Sequence, residues 1–336
     1  MINKSTNILF ISILVMSVII AVSSNSWFIV WMGMEINLMS FMPMIMNKHN
    51  MMSKDASLTY FMVQTIASMF LLMSIIMLNK NMPNSMNKTM LTLMMSSLMM
   101  KSGMSPFHFW LPKVMEGMSW YNCFILMTWQ KIMPLMMMSN IIELNWITTM
   151  TIIMSVIVGA IGGLNQTSLR KLMAYSSISN NGWMLMAMLI SETTWMMYLI
   201  IYMIMTLIMT LSMNMYMNYH MNQLISMNET TVSKLMLMMN MMSMGGLPPM
   251  LGFMPKLLVI QSTMFSYEIM LMGAMIIMTL ITAFYYLRMM FPAMMLSPIE
   301  QKWLNKTKHK NSQLAMMTSS MSIMGLTTIS MLMSIY

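Results

Sequence analysis

Four ionisable residues lie near the middle of segments that are otherwise apolar. They are Glu35, Lys101, Lys131 and Lys256. A charge at bilayer depth costs at least about 2.5–3.5 kcal/mol, and it usually faces the interior of a helix bundle, a partner or a water-filled path. Four such groups in one chain therefore predict a route for protons or ions.

Glu35 and Lys101 are the two charges expected at similar depth. Glu35 lies well inside its apolar segment, and Lys101 just precedes a Gly/Pro-rich break. Burial favours the neutral form of an amine, whereas a nearby carboxylate favours the ammonium form. The two residues are therefore predicted to form an ion pair whose opening lets the lysine release its proton. The alternative is a static pair that only fixes helix packing.

The other lysines have no acid in their own segments. Lys131 lies in WQKIMP, where a proline loosens the helix and admits water; the alternative is a side chain that extends to the membrane interface. Lys256 follows a proline inside a second break. His108 and Lys113 flank the first break and could load protons, although a histidine in such a loop is often only hydrogen-bonded there.

The composition predicts a membrane protein without a redox centre. Of 336 residues, 58% are hydrophobic and 7% are charged, and the mean hydropathy is +0.69; soluble domains carry roughly 25% charged residues. One cysteine excludes an iron–sulfur cluster and structural disulfides, and four scattered histidines argue against haem or zinc. No dinucleotide or phosphate-binding glycine motif occurs. The net charge of +9 is mostly scattered in short loops, which argues against a nucleic-acid partner.

The apolar runs predict about eleven membrane-spanning helices, since about 20 residues cross the hydrocarbon core. The predicted spans are 6–22, 25–46, 56–78, 87–108, 119–139, 145–164, 170–190, 193–213, 230–262, 266–290 and 314–335. Loop lysines and arginines concentrate on the side that receives the N-terminus, which the positive-inside rule assigns to the cytoplasm or matrix.

Two of these spans are interrupted in the same way. GMSPFHFWLPK, beginning at Gly103, aligns without a gap with GLPPMLGFMPK, beginning at Gly246. The breaks lie in the fourth and the ninth predicted spans, five positions apart in the order of spans, so their directions across the membrane are opposite. Paired broken helices in two inverted halves indicate a transport path. The alternative is chance similarity between two Pro/Gly-rich loops.

Four motifs together resemble the antiporter-like subunits of respiratory NADH dehydrogenase, complex I. They are KSGMSPFHFWLPKV with Lys101, GGLPPMLGFMPK with Lys256, WMGMEIN with Glu35 and WQKIMP with Lys131. The likeness covers essentially the whole length and is greatest to the short mitochondrial members of animals. Methionine replaces leucine and isoleucine throughout, at 68 residues, which favours an arthropod mitochondrial gene.

The resemblance implies an all-α membrane protein, one domain over 1–336, with two inverted five-helix halves. The halves are 1–139 and 145–290, followed by a C-terminal helix at 314–335. It implies proton translocation driven by quinone reduction elsewhere, with Glu35 and Lys101 as the glutamate–lysine pair, Lys131 as the connecting lysine and Lys256 as the lysine of the second broken helix. Lys113 departs from the aspartate that bacterial relatives often carry, and no exit route beyond Lys256 is evident.

The resemblance also implies the surroundings of the chain. FMN, iron–sulfur clusters and ubiquinone would be bound by other subunits, and none by this chain. The partners would be the other membrane-arm subunits of complex I and the lipids of the mitochondrial inner membrane, with the N-terminus on the matrix side. Two alternatives stay open: a stand-alone cation/proton antiporter or its subunit, and a purely structural membrane scaffold.

Overall fold

The computed structural model describes residues 4–47, 50–80, 84–226, 231–248, 250–263, 269–295 and 320. The described residues are almost entirely helical, and they contain no β-strand beyond one isolated bridge between Ser168 and His220. The helices are α1 (Lys4–Ser23), α2 (Trp27–Ile45), α3 (Met51–Leu78), α4 (Asn84–Ser102), α5 (Trp110–Gly117), α6 (Trp120–Met127), α7 (Trp129–Ser139), α8 (Trp146–Gly163), α9 (Leu169–Ile190), α10 (Glu192–Met215), α11 (Met221–Ile225), α12 (Thr231–Gly245), α13 (Phe253–Thr263) and α14 (Ile269–Met295).

The chain divides into two compact units, Met1–Thr151 and Ile152–Tyr336. In the first unit, α2 packs on α1 and α3, α3 packs on α4 and α5, and α7 packs on α4 and α6. In the second unit, α9 and α10 pack together, α12 packs on α10 and α14, and α13 packs on α9 and α10. Each unit therefore contains one helix pair that is interrupted by a loop, α4–α5 and α12–α13.

Within the part of the chain that the structure describes, six helices are long and apolar enough to cross a membrane: α1, α2, α3, α8, α10 and α14. The helix α9 differs, because serines and asparagines break its apolar run while most of its residues are buried. It is the core helix of the second unit. Its polar side chains face other protein groups rather than lipid.

Helices overlap the first ten predicted spans, and the predicted helix at 314–335 lies outside the described residues. The prediction of one continuous helix over 119–139 is wrong. The chain breaks at Thr128, whose φ and ψ are −116° and −72°. The Thr128 hydroxyl donates to the Phe124 carbonyl at 2.7 Å, a local bond that often bends helices. The segment between the predicted spans 193–213 and 230–262 also contains a short helix, α11.

The first broken helix ends in a glycine cap. Gly103 has a φ of +72°. Its N–H donates to the Met100 carbonyl at 3.3 Å, and the Met104 N–H donates to the Met99 carbonyl at 3.0 Å. This pair of bonds is the Schellman motif, which satisfies carbonyls that a helix end otherwise leaves unpaired.

The second broken helix ends with the same cap. Gly246 has a φ of +75°, its N–H donates to the Ser243 carbonyl at 3.1 Å, and the Leu247 N–H donates to the Met242 carbonyl at 3.4 Å. The two glycines that align in the sequence therefore hold equivalent positions in the two caps. A glycine is favoured there because other residues rarely adopt positive φ.

Gly103→Ala should destabilise the protein, because the left-handed conformation costs an L-residue roughly 1–2 kcal/mol. An added Cβ would also lie 2.5 Å from Leu111 Cδ1. Gly273→Ala in α14 is the matched control, since nothing lies within 4 Å of its added Cβ. Thermal unfolding should show a loss for Gly103→Ala and none for Gly273→Ala. Equal unfolding temperatures would contradict this account of the cap.

Candidate functional site

A small cavity lies at the centre of the first unit. Its volume is about 20 Å³, which is room for about one water molecule. Helices α2, α3, α4 and α7 contribute the lining. The lining residues are Met34, Asn37, Leu38, Tyr60, Gln64, Lys101, Gln130, Met133 and Pro134.

Lys101 lies in the last turn of α4 and is 7% exposed. Its Nζ lies 3.4 Å from Met34 Sδ. The C-terminal end of a helix carries partial negative charge, so this position favours a cation. Gln64 Nε2 donates to the Lys101 carbonyl at 3.1 Å, and Trp110 Nε1 donates to the Met100 carbonyl at 3.1 Å. These two hydrogen bonds pair carbonyl groups at the C-terminal end of α4, and so they hold the backbone that carries Lys101.

Glu35 lies on α2, next to Met34. The residue is half-buried, and its Oε1 is buried with no hydrogen-bond partner among the described residues. Glu35 and Lys101 interact electrostatically, but they form no ion pair within 4.0 Å. Neighbouring residues on a helix point about 100° apart, so Met34 and Glu35 do not face the cavity together. The expected pair is open in this structure.

A chain of neutral polar groups crosses the same cavity. Gln130 Nε2 donates to Asn37 Oδ1 at 2.8 Å, and the Tyr60 hydroxyl donates to Gln130 Oε1 at 3.4 Å. Sequence reasoning did not select these residues. Asn37 and Gln130 lie in the same motifs as Glu35 and Lys131, WMGMEIN and WQKIMP, and a polar amide in an apolar segment was the signal that could have found them.

Lys131 is buried in α7 and only 3% exposed. The break at Thr128 precedes it, and Pro134 follows within the helix. Gln130, Met133 and Pro134 line the cavity, whereas Lys131 projects about 100° away from Gln130 around the helix. The structure therefore brings Gln130, and not Lys131, to the cavity of Lys101. Such burial also argues against a side chain that extends to the membrane interface.

The two residues that flank the first break differ in exposure. His108 is buried, its Nδ1 lies 3.2 Å from the Pro106 carbonyl oxygen, and its ring lies 4.1 Å from that of Phe109. Lys113 is exposed on α5. His108 therefore occupies the hydrogen-bonded loop position that was the alternative to proton loading, and its loading role stays a prediction.

Lys256 belongs to the second unit, on α13, and is 7% exposed. Its Nζ donates to the carbonyl of Gly245, the last residue of α12, at 3.0 Å. A Cβ on Gly246 would lie 2.6 Å from this Nζ, so the glycine also leaves space for the amine. Lys101 thus lies in the last turn of one interrupted helix, and the Lys256 amine contacts the last residue of the other.

Two further observations concern ionisable groups. Lys234 on α12 is buried at 8% exposure and was not selected from the sequence, although it is a charge within an apolar run. Among the residues that the structure describes, no three His, Cys, Asp or Glu side chains gather as metal ligands. Cys123 is buried, and its thiol donates to the Met115 carbonyl at 3.6 Å. Among the described residues of α4, α5, α12 and α13, the buried ionisable groups are the amines of Lys101, Lys234 and Lys256.

The sequence is similar to those of known proteins. Residues 24–282 match the family model described as NADH:quinone oxidoreductase/Mrp antiporter, TM. The protein named NADH-ubiquinone oxidoreductase chain 2 of Anopheles gambiae is 42% identical over 340 residues, with 98% of each chain covered. Its namesake in Locusta migratoria is 43% identical over 337 residues, covering 97% of this chain and 96% of that protein.

Solved structures show the same fold. A chain of respiratory complex I from Thermus thermophilus with bound aureothin superposes with a TM-score of 0.85 at 19% identity, covering 97% of this chain and 79% of that chain. A chain of the Mrp complex of a Dietzia species has a TM-score of 0.82 at 16% identity, covering 96% and 75%. The chain belongs to the NADH:quinone oxidoreductase/Mrp antiporter membrane family and, within it, to the chain 2 subunits of NADH-ubiquinone oxidoreductase.

Proposed function

We propose that this subunit of NADH:ubiquinone oxidoreductase carries protons through the membrane arm of complex I by way of Glu35, Lys101, Lys131 and Lys256. The observation that carries the proposal is the burial of three lysines, each 7% exposed or less, with Lys101 in the last turn of α4 and the Lys256 amine bonded to the last carbonyl of α12. A structural scaffold does not need such groups, because an ionisable residue inside a membrane is costly and usually functional.

In the first unit, the proposed step is a movement of the Lys101 amine. The thioether of Met34, 3.4 Å away, is a weak acceptor. The buried Oε1 of Glu35 is the stronger partner for an ammonium group. Lys101 holds its proton when it turns toward Glu35 and releases it when it returns to Met34. The amine, the Gln130–Asn37 pair and one water in the cavity supply the groups for the transfer.

The small size of the cavity suits a pump. Moving a proton against the membrane potential costs about 2.3 kcal/mol per 100 mV, so a wet path open to both faces would be a leak. A cavity of about 20 Å³ has room for a local proton transfer but not for a continuous column of water. Lys131, on another face of α7, is the next carrier, and Lys256 serves the second unit.

The finer architecture also belongs to this proposal. It consists of about eleven spans, two inverted halves over 1–139 and 145–290 and a C-terminal helix at 314–335. The identical glycine caps at Gly103 and Gly246 support the repeat. The location is the mitochondrial inner membrane, with the N-terminus in the matrix. Exposed apolar faces of α1, α2 and α3 suit contact with lipids and with other membrane-arm subunits. FMN, the iron–sulfur clusters and ubiquinone are bound by other subunits of the complex.

The match to Mrp antiporters supports a second candidate, a stand-alone cation/proton antiporter or its subunit. Purification from the native membrane and reconstitution into liposomes separate the two. We expect the chain to co-purify with complex I and NADH-driven proton uptake to need the whole complex. The isolated chain should not exchange sodium for protons, because an amine-lined cavity offers no anionic cage for a metal cation. Sodium–proton exchange by the isolated chain would favour the antiporter.

A further inference from the structure

A group of hydroxyl side chains lies in the core of the second unit, away from any carboxylate of the described residues. We call it the hydroxyl cluster. Its members come from α9, α10 and α14, and each is 2% exposed or less. They are Ser176, Ser177, Tyr202, Tyr285 and Tyr286. Burying polar groups is costly unless they interact with one another, so the cluster needs an explanation.

The members of the cluster interact through their hydroxyl groups. Tyr286 interacts with Ser176 and Tyr285, and Tyr202 interacts with Ser177. The two tyrosine rings of α14 have centroids 4.6 Å apart. The serine hydroxyls also donate to carbonyls of their own helix, so their oxygens stay available as acceptors. The Tyr286 hydroxyl also donates to Met173 Sδ at 3.8 Å, and the Tyr285 hydroxyl makes no hydrogen bond within 3.5 Å among the described residues. The cluster is thus a set of neighbouring hydroxyl groups, each of which can both donate and accept a hydrogen bond.

The cluster continues along the α9–α10 pair. The Tyr198 hydroxyl donates to Asn180 Oδ1 at 3.0 Å. Tyr198 and Tyr202 are four positions apart on α10, so they lie on the same face. Trp183 and Trp195, both 1% exposed, occupy the next turns of the two helices. Polar contacts therefore extend to Asn180, and bulky indole rings follow them.

The cluster begins next to Lys256. The Lys256 amine donates to the Gly245 carbonyl at 3.0 Å. Gly245 lies against Tyr286: a Cβ on this glycine would be 3.3 Å from the ring carbon Cδ2. One residue of α12 thus contacts both the lysine amine and the first tyrosine of the cluster.

We propose that the hydroxyl cluster is the proton path that serves Lys256, with Tyr286 and Tyr202 as its essential members. This inference rests on the proposed function. The Lys256 ammonium gives one proton to a bridging water molecule and becomes a neutral amine. That water protonates the Tyr286 hydroxyl as this hydroxyl releases its own proton to the next acceptor. At each hydroxyl one O–H bond forms as another breaks, so no charge stays on the cluster, and the last hydroxyl releases the proton to water. Buried tyrosines usually contribute to packing. Substitution by phenylalanine keeps the ring and removes the hydroxyl, so it separates packing from proton transfer.

Tyr286→Phe and Tyr202→Phe remove only the hydroxyl group from the complex. Each should lower the initial rate of NADH-driven proton uptake in liposomes by about tenfold, less than loss of a titrating lysine, because water can replace one hydroxyl. The solvent deuterium isotope effect on that rate should rise. Tyr175→Phe is the matched control, since Tyr175 is half-buried on the same helix as Ser176 and its ring packs on Gly162. The control should pump at the wild-type rate.

The outcomes separate this inference from the proposed function. A slow Lys256→Met variant together with wild-type uptake and isotope effect in Tyr286→Phe and Tyr202→Phe would overturn the hydroxyl path alone. Wild-type pumping in Lys256→Met would overturn the proposed function. If Tyr286→Phe fails to assemble, Tyr202→Phe decides the question by the same measurement. Slow uptake in an assembled variant with a normal Tyr175→Phe control supports the path.

Discussion

Lys101→Met should lower proton pumping and quinone reductase turnover by about a hundredfold, because a positioned proton-transfer group typically contributes at least that much. Methionine has a similar length, and it already lines this cavity as Met34 and Met133. The variant therefore keeps the packing and removes only the titrating amine. The measurement is NADH:quinone reductase activity of the assembled complex in liposomes, together with a pH-sensitive dye inside the vesicles.

Lys88→Met is the control for Lys101→Met, because Lys88 is exposed on the same helix, α4. It should leave both rates unchanged. Glu35→Gln should also be slow, and the double variant should be no slower than the slower single variant, since groups that act in one step are not additive. Wild-type rates in the assembled Lys101→Met complex would remove Lys101 from the path.

Helix positions were largely predictable, because long apolar runs and Gly/Pro breaks follow directly from membrane thickness and backbone geometry. Gly103 and Gly246 both lie at helix ends, as their alignment predicted. The break at Thr128 was not predictable, because threonine is common within helices. Only the bond from its hydroxyl to the Phe124 carbonyl distinguishes it. Short helices such as α11 were also missed, since an apolar run cannot mark so few residues.

The charged members of the candidate site were predictable from sequence. An ionisable group within an apolar segment costs free energy in a membrane and is therefore rare. The neutral partners of these charged members were not predictable. The contacts among Asn37, Gln130 and Tyr60 depend on the rotation of each helix about its axis and on side-chain rotamers. No local sequence pattern predicts either of these. The contact of Lys101 with Met34 rather than Glu35 has the same origin. Tertiary packing thus places Met34, and not the adjacent Glu35, in contact with the Lys101 amine.

Lys256→Met should lower proton pumping by about a hundredfold, for the same reason as Lys101→Met. The amine lies at the end of α12, where it donates to the Gly245 carbonyl at 3.0 Å. Methionine cannot donate this bond, although it preserves the volume of the side chain. Proton uptake per electron should be measured beside quinone reductase turnover, because a broken path either stalls turnover or uncouples it from pumping.

Lys113→Met provides the matched control that the chain itself offers. Gapless alignment of the two breaks places Lys113 opposite Lys256, but Lys113 is exposed and Lys256 is 7% exposed. Lys113→Met should pump at the wild-type rate, because an amine in contact with water has no part in a buried relay. A slow Lys113→Met complex beside a normal Lys256→Met complex would contradict the link between burial and proton transfer. Equal loss in both variants would mean that the position in the broken helix matters rather than burial.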